Sequence, residues 1–166
     1  MGIFNRFKKK QKGFDLDALL ANQDLTKAII TIDERLNQAS EYGRRIDNLT
    51  EPQKTFLFVE NLEREVNNGG FDQFFWNSSG NFAHETVEAL ENINAKSAAK
   101  ILKKANAVWP DKNVPKNRME RQETQLLYEK KINPELEKLD AQFYKYPDNI
   151  SELLISYVKR HSDDFK

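Results

Sequence analysis

Apolar residues recur at the spacing of an α-helix along most of the chain, and we find no alternating apolar and polar segment of the kind that forms a half-buried strand. The clearest helical stripe consists of Leu25, Ala28, Ile29, Ile32 and Leu36. Further stripes, each predicted to be the buried face of one helix, are Leu16, Leu19 and Leu20; Phe56, Val59, Leu62 and Val66; Ala83, Val87, Leu90 and Ile93; Ala98, Ile101, Leu102, Ala105, Val108 and Trp109; Leu136, Leu139 and Phe143; and Ile150, Leu153, Leu154 and Tyr157. The pattern predicts an all-α protein, a compact single-domain bundle of about seven helices.

Local signals predict where some of these helices begin and end. Residues 50–53, Thr-Glu-Pro-Gln, read as a capping box with proline in the first turn of a helix. At the other end of that helix, Gly69 is predicted to be the left-handed residue that caps the C-terminus. A later helix is predicted over residues 119–132, with a break at Asn133-Pro134 before the next one.

The segment from Glu63 to Gly80 is the most locally specified part of the chain, because a helix ends there, two glycines follow and aromatic residues come next. Three of these aromatics have the spacing i, i+3, i+4 and are predicted to enter the core together: Phe71, Phe74 and Phe75. The other side chains on this turn point elsewhere: Asp72, Gln73, Trp76 and Asn77. Trp76, beside these amides, is a candidate contact for a partner or ligand, with ordinary packing as the alternative.

Composition narrows the class of protein. The chain has 166 residues and no cysteine, which excludes a disulfide framework and fits a reducing compartment, so we expect a cytoplasmic location. No apolar run approaches the roughly 18 residues that a membrane-spanning helix needs, and no stable membrane association is expected. Residues 1–13 carry five basic and no acidic side chains, which predicts a flexible basic head. Residues 14–166, the predicted helical domain, then hold 21 basic and 26 acidic side chains.

Acidic side chains concentrate in the middle of the chain. Residues 51–95 hold eight of them against Lys54 and Arg64. The eight are Glu51, Glu60, Glu63, Glu65, Asp72, Glu85, Glu88 and Glu91. Glu85, Glu88 and Glu91 follow one another at a spacing of three residues, which predicts an acidic stripe on one helix.

Candidate catalytic and metal-binding chemistry is sparse. His84 and Glu88 share a helix face, but two ligands are too few for a zinc site, so no metal or cofactor is expected. Glu60, Glu63 and Asn67 share another face. Their carboxylates could perform acid–base work if their pKa values were split, or could accept backbone N–H groups from the Gly69-Gly70 turn. No catalytic residue is assigned.

A family resemblance rests on the same segment. Residues 63–80 follow the pattern Glu-x-x-x-Asn-Asn-Gly-Gly-Phe-x-Gln-Phe-Phe-x-Asn-x-x-Gly, and a later helix ends in Val108-Trp109-Pro110. This pattern resembles a bacterial all-helical family of domains, largely of unknown function, over roughly residues 20 to 160. The family includes the C-terminal domain of a DNA-mimic protein, which binds a transcription factor in place of DNA. The resemblance implies a helical fold and a protein partner, and it implies no enzyme activity.

Two functions are therefore predicted as alternatives. The first is a non-enzymatic protein-interaction module that binds a DNA-binding protein, a transcription factor being one candidate, through an acidic patch. The second is a small-ligand-binding or hydrolase-like protein with a pocket at the turn from Asn67 to Asn77. No direct binding of nucleic acid is expected, and a homodimer is left open. The candidate contact residues are Glu60, Glu63, Asn67, Asn68, Gly69, Gly70, Asp72, Gln73, Trp76, Asn77, Glu85, Glu88 and Glu91.

Overall fold

The structure is a computed structural model that describes residues 14–22 and 24–166. In these residues the secondary structure is helical and no strand is present. The α-helices are α1 (Leu16–Ala21), α2 (Leu25–Ala39), α3 (Glu51–Trp76), α4 (Ala83–Asn92), α5 (Lys96–Ala107), α6 (Arg118–Leu127), α7 (Glu129–Phe143), α8 (Ile150–Arg160) and α9 (Ser162–Phe165). Seven of them have seven residues or more, which confirms the predicted all-α bundle. The predicted basic head, residues 1–13, lies outside the described residues. That residues 14–166 form one domain stays a prediction.

The longest helix, α3, is the centre of the packing. It contacts α2, α4, α6, α7, α8 and α9. Its predicted stripe is wholly buried, because Phe56, Val59, Leu62 and Val66 are each 0% exposed. The predicted capping box is confirmed, since the backbone N–H of Thr50 donates to Gln53 Oε1 at 2.9 Å. The buried face of α3 is therefore enclosed by helices from both halves of the chain.

A kink divides α3 at Gly69 and Gly70, and the predicted role of Gly69 is wrong by one residue. Gly70 has the left-handed φ of +72°, whereas Gly69 has an extended φ of −160°. The physical reason is that the helix is re-aimed rather than ended: Phe71 resumes it and donates its N–H to Asp140 Oδ1 at 2.7 Å. The predicted burial of the three phenylalanines is confirmed, because Phe71, Phe74 and Phe75 are each 0% exposed.

The boundary between α6 and α7 also differs from the prediction. The break falls at Tyr128, and Pro134 lies inside α7 rather than between two helices. Pro134 removes one backbone hydrogen bond in the second turn of α7. Ile132 and Leu136 on either side of it are 0% and 1% exposed, so their burial in the core keeps the helix continuous. The predicted last helix is also followed by the short α9, which brings Phe165 against Phe56.

A buried tryptophan closes the core beside the kink. Trp109 follows α5, is 2% exposed, and packs edge-on against Phe75 with ring centroids 5.2 Å apart. It therefore links α5 to the second half of α3. No helix in the described part of the chain is both long enough and apolar enough to cross a bilayer.

Candidate functional site

Glu65 joins the two halves of α3 across the kink. Its carboxylate accepts hydrogen bonds from Gln73 Nε2 at 2.6 Å, Asn77 Nδ2 at 2.9 Å and Ser79 Oγ at 3.3 Å. Glu65 precedes the kink and its three donors follow it. Two amides that were candidate contact residues, Gln73 and Asn77, are thus hydrogen-bonded within the fold.

Arg121 of α6 fixes the end of the same segment and is 0% exposed. Its guanidinium donates to the backbone oxygens of Phe75 at 2.5 Å and Asn77 at 2.8 Å. It also donates to Asn81 Oδ1 at 2.8 Å and to two carbonyls of the preceding loop. Burial, and to a smaller degree the nearby Arg118, lowers the pKa of Arg121 to about 10, so the side chain stays protonated at neutral pH. A fully used guanidinium of this kind organises the backbone that ends α3.

The remaining polar residues of the turn are partly used by the fold and partly exposed. Asn68 Nδ2 donates to Gln73 Oε1 at 3.1 Å, and Gln125 donates to the Asp72 carboxylate. The backbone oxygen of Trp76 accepts hydrogen bonds from two side chains of α6, and the residue is 37% exposed. Most polar residues of the segment from Glu63 to Gly80 therefore form hydrogen bonds that stabilise the kink.

Four of the candidate residues meet at one cleft, which we call the α2–α3 cleft. It has a volume of about 470 Å³ and is lined by Thr26, Ile29, Ile30, Glu60, Glu63, Arg64, Asn67, Asn68 and Ser151. The alternative prediction placed a pocket at the whole turn from Asn67 to Asn77. Only Asn67 and Asn68 of that turn line the α2–α3 cleft, together with Glu60 and Glu63 from the preceding two turns of α3.

The carboxyl groups near this cleft are hard to ionise. Burial, reinforced by the charges of Asp33 and Glu63, raises the pKa of Glu60 to about 7, although Arg64 opposes the rise. Burial also raises the pKa of Glu63, against the lowering effect of a hydrogen bond with Tyr146. The pKa of Asp33 is raised by burial too, even though Asp33 Oδ2 pairs with Arg64 Nη1 at 2.9 Å. Asp33 and Glu60 thus share one arginine, Arg64.

The interpretation of Glu60 and Glu63 as acceptors for the glycine turn is wrong. Within the described residues neither carboxylate accepts a backbone N–H from the turn, and Asp140 of α7 accepts that of Phe71 instead. The turn passes closest to α7, since a Cβ on Gly70 would lie 2.5 Å from Asp140 Oδ2. Glu63 and Glu60 lie about two and three helical turns before Gly70, on the face toward α2. Glu60 makes no hydrogen bond with any described residue, whereas Glu63 interacts with Tyr146.

The acidic side chains of α4 lie at other clefts. Glu85, the first member of the predicted stripe, forms an ion pair with Lys116. Glu88 and Glu91 are exposed and line a cleft of about 480 Å³ together with His84, Lys103 and Lys112. In the described part of the chain no group of three or more His, Cys, Asp or Glu side chains is placed to hold a metal ion.

Comparison with known families identifies the chain. Residues 47–161 match the model of a family described as DMP19-like protein, which is well over half of the chain. The chain belongs to this family. No curated protein and no solved structure gives a significant match. The region shared with the DMP19-like family contains the kink, the Glu65 and Arg121 hydrogen bonds, and every candidate contact residue.

The sequence did not single out several polar residues that form the main hydrogen bonds and ion pairs around the kink and the α2–α3 cleft of this DMP19-like domain. Arg121 gave no local signal, because its partners in the α3 turn lie 40 to 46 positions earlier in the chain. Glu65 was counted only as one of eight acids. Asp33 had a usable signal, since it adjoins the apolar stripe of α2 and is thereby predicted to be half-buried.

Proposed function

We propose that this DMP19-like protein is a non-enzymatic interaction module that binds a DNA-binding protein, with a transcription factor as one candidate, through an acidic surface. The family match over residues 47–161 carries the proposal, because it agrees with the resemblance to a DNA-mimic protein. A surface that replaces DNA has to present carboxylates to the basic groups of the partner that otherwise bind phosphates. The protein supplies such carboxylates on α3 and α4.

Two acidic regions support the proposal. One is the α2–α3 cleft with Glu60 and Glu63, and the other is the exposed edge of α4 with Glu88 and Glu91. Residues 14–166 carry a modest excess of 26 acidic over 21 basic side chains, so mimicry here is local rather than spread over the molecule. Trp76 offers an aromatic edge near Asp72 for such a contact.

The test is capture of partners on the immobilised full chain, followed by measurements with the purified partner. We expect a DNA-binding protein whose affinity falls steeply with added salt, because exposed charge pairs are screened. Duplex DNA should compete for the same surface of the partner. A Glu85→Gln/Glu88→Gln/Glu91→Gln variant should bind more weakly than wild type.

The control variant removes three charges elsewhere. Glu120, Glu123 and Glu129 lie on α6 and at the start of α7 and are exposed, so their replacement by glutamine matches the change in net charge. Failure of DNA to compete for the captured protein would contradict mimicry and leave only a general interaction module. If both triple variants lower the affinity for the partner equally, the α4 carboxylates contribute only through the net charge of the protein.

A second candidate is a small-ligand-binding protein, which the α2–α3 cleft favours. Its volume of about 470 Å³ lies in the range of small-molecule sites, and two carboxyl groups and two amides line it. A small metabolite that raises the melting temperature of wild type, and that loses this effect in Asn68→Ala, would favour this candidate over the first.

A further inference from the structure

The α2–α3 cleft has an apolar side and an acidic side. Ile29 and Ile30 line it from α2, and Ile30 is 52% exposed. Glu60 and Glu63 line it from α3, where their spacing of three residues puts them on adjacent turns of one face. Lysine and arginine side chains have the matching construction, with an apolar stem and a charged head.

Negative charge at this cleft is not balanced by the fold. In the described part of the chain, Glu60 makes no hydrogen bond and no ion pair. Among the described residues, Arg64 is the one basic side chain that lines the cleft, and it pairs with Asp33 and donates to Asn61. The other carboxylate oxygen of Asp33, Oδ1, is buried, and no described residue donates to it. Asp33 does not line the cleft, so Glu60 and Glu63 are the carboxyl groups that a cation entering it would meet.

We propose that the α2–α3 cleft is a socket for a lysine or arginine side chain of the protein partner. The proposal rests on the proposed function, because a protein that binds DNA carries such side chains on the surface that meets phosphates. The ammonium or guanidinium lies between Glu60 and Glu63, and the stem packs on Ile30. Asn67 and Asn68 stand at the end of the cleft and offer amide oxygens to the remaining N–H groups.

The proposal makes binding depend on pH. With a pKa of about 7, Glu60 is mostly protonated at pH 6 and mostly ionised at pH 8, and only the ionised form attracts a cation. The charged or titratable groups that face it or its neighbours are Asp33 from α2, Glu63 and Arg64 from α3, and Tyr146, which contacts Glu63. Ser151 of α8 carries no charge. Affinity should therefore rise about tenfold from pH 6 to pH 8, as the competent fraction rises.

The test uses a fluorescein-labelled hexa-arginine peptide as probe and hexa-citrulline as its uncharged analogue, with binding followed by anisotropy at low salt. We expect the full-length wild type to bind the arginine peptide only. Glu60→Gln/Glu63→Gln should weaken binding about tenfold at pH 8 and flatten the pH profile. Ile30→Lys, which adds a competing ammonium at an exposed rim position, should weaken binding as well.

The matched control is Glu120→Gln/Glu123→Gln, which removes two exposed carboxylates with the same i, i+3 spacing from α6. This variant should bind the peptide within about twofold of wild type. Equal affinity of wild type and the Glu60/Glu63 variant at pH 8, or an equal loss in the α6 control, would overturn the socket. A gain in affinity on deletion of residues 1–13 that Glu60→Gln/Glu63→Gln abolishes would also overturn it, because the cleft would then serve the chain's own basic segment.

The captured DNA-binding partner separates this proposal from the proposed function. If the Glu60/Glu63 variant still binds that partner at full strength and DNA competes, the socket is wrong and the interaction module stands. If the peptide binds with the expected pH dependence but no captured partner is displaced by DNA, the socket is supported for a basic protein segment and the DNA-mimic function fails.

Discussion

At the scale of single residues, the kink in α3 depends on Gly70. Its φ of +72° with ψ of −176° is a combination that only glycine adopts at low cost, and a Cβ there would lie 2.5 Å from Asp140 Oδ2. We therefore expect Gly70→Ala to lower the free energy of unfolding by about 2–3 kcal/mol. Urea unfolding followed by circular dichroism measures the change.

Gly43 provides the matched control for this prediction. It also has a positive φ, of +83°, but a Cβ there would meet no atom of the described residues within 4 Å. Gly43→Ala should therefore show only the backbone cost, about 1 kcal/mol. If Gly43→Ala and Gly70→Ala prove equally costly, the close approach of α7 to the kink does not matter for stability.

The raised pKa of Glu60 has a consequence for stability as well as for binding. In the unfolded chain this carboxyl ionises near its ordinary value of 4.5, and in the folded chain near 7. The folded state therefore loses stability as the pH rises from about 4.5 to about 7, by roughly 3 kcal/mol at the upper end. Below pH 4.5 Glu60 contributes no penalty.

Glu60→Gln removes this ionisation while keeping the shape of the side chain. We expect the variant to be more stable than wild type at pH 8, by about 2 kcal/mol, and equally stable at pH 4. Guanidinium unfolding at the two pH values gives the comparison. A variant that is less stable than wild type at pH 8 would mean that ionised Glu60 has a compensating partner in the folded protein.

At the scale of helices, the elements that were predictable are those whose signals are local. The stripe of α2 and the capping box of α3 involve residues within one or two turns, and both predictions are confirmed. The break at Tyr128 was not predictable, because burial of Ile132 and Leu136 in the distant core overrides the local effect of Pro134.

The candidate site shows the same division between local and distant causes. Glu60, Glu63 and Asn67 share a face of one helix, and they do line one cleft. The other wall comes from α2, about 30 positions earlier, and the charge balance depends on Asp33. A sequence alone gives no distance between two helices. It therefore could not show whether the carboxylates of α4 lie on the same surface as Glu60.

Helix α6 is held in place by long-range hydrogen bonds from one of its side chains, Arg121. It connects α6 to the end of α3 and to the loop before α6, through acceptors on five residues. Arg121→Ala should cost about 3–5 kcal/mol, because buried carbonyl groups lose their donors. Arg121→Lys should recover only part of this, since an ammonium cannot reproduce the planar fork.

Arg118 on the same helix is the control, because it is exposed and makes a single hydrogen bond with the described residues, to the backbone oxygen of Trp76 at 3.2 Å. Arg118→Ala should change the free energy of unfolding by less than about 1 kcal/mol. Chemical unfolding of the three variants gives the ranking. Full stability of Arg121→Lys would show that charge alone, rather than the fork geometry, holds α6 in place.

At the scale of the whole molecule, the two ends of the described chain share one hydrophobic cluster. It includes Leu16 of α1 and Phe165 of α9 together with the buried residues of α3. The C-terminal end is fastened to the start of α3, because Gln53 Nε2 donates to the backbone oxygen of Asp164 at 2.6 Å and the ring of Phe165 packs on Phe56. This arrangement favours a single cooperative unit over two independent ones.

We therefore expect residues 14–166 to unfold in one transition. Far-ultraviolet circular dichroism averages over all the helices, whereas the fluorescence of Trp76 and Trp109 reports on the region around the α3 kink. The two melting curves should coincide. Phe165→Ala, at the far end of the chain, should lower both midpoints equally, at a cost of about 3 kcal/mol, because its ring is 4% exposed and belongs to the common core. Separate midpoints for the two signals, or a shift of only the dichroism curve in Phe165→Ala, would mean that the C-terminal helices form a unit of their own.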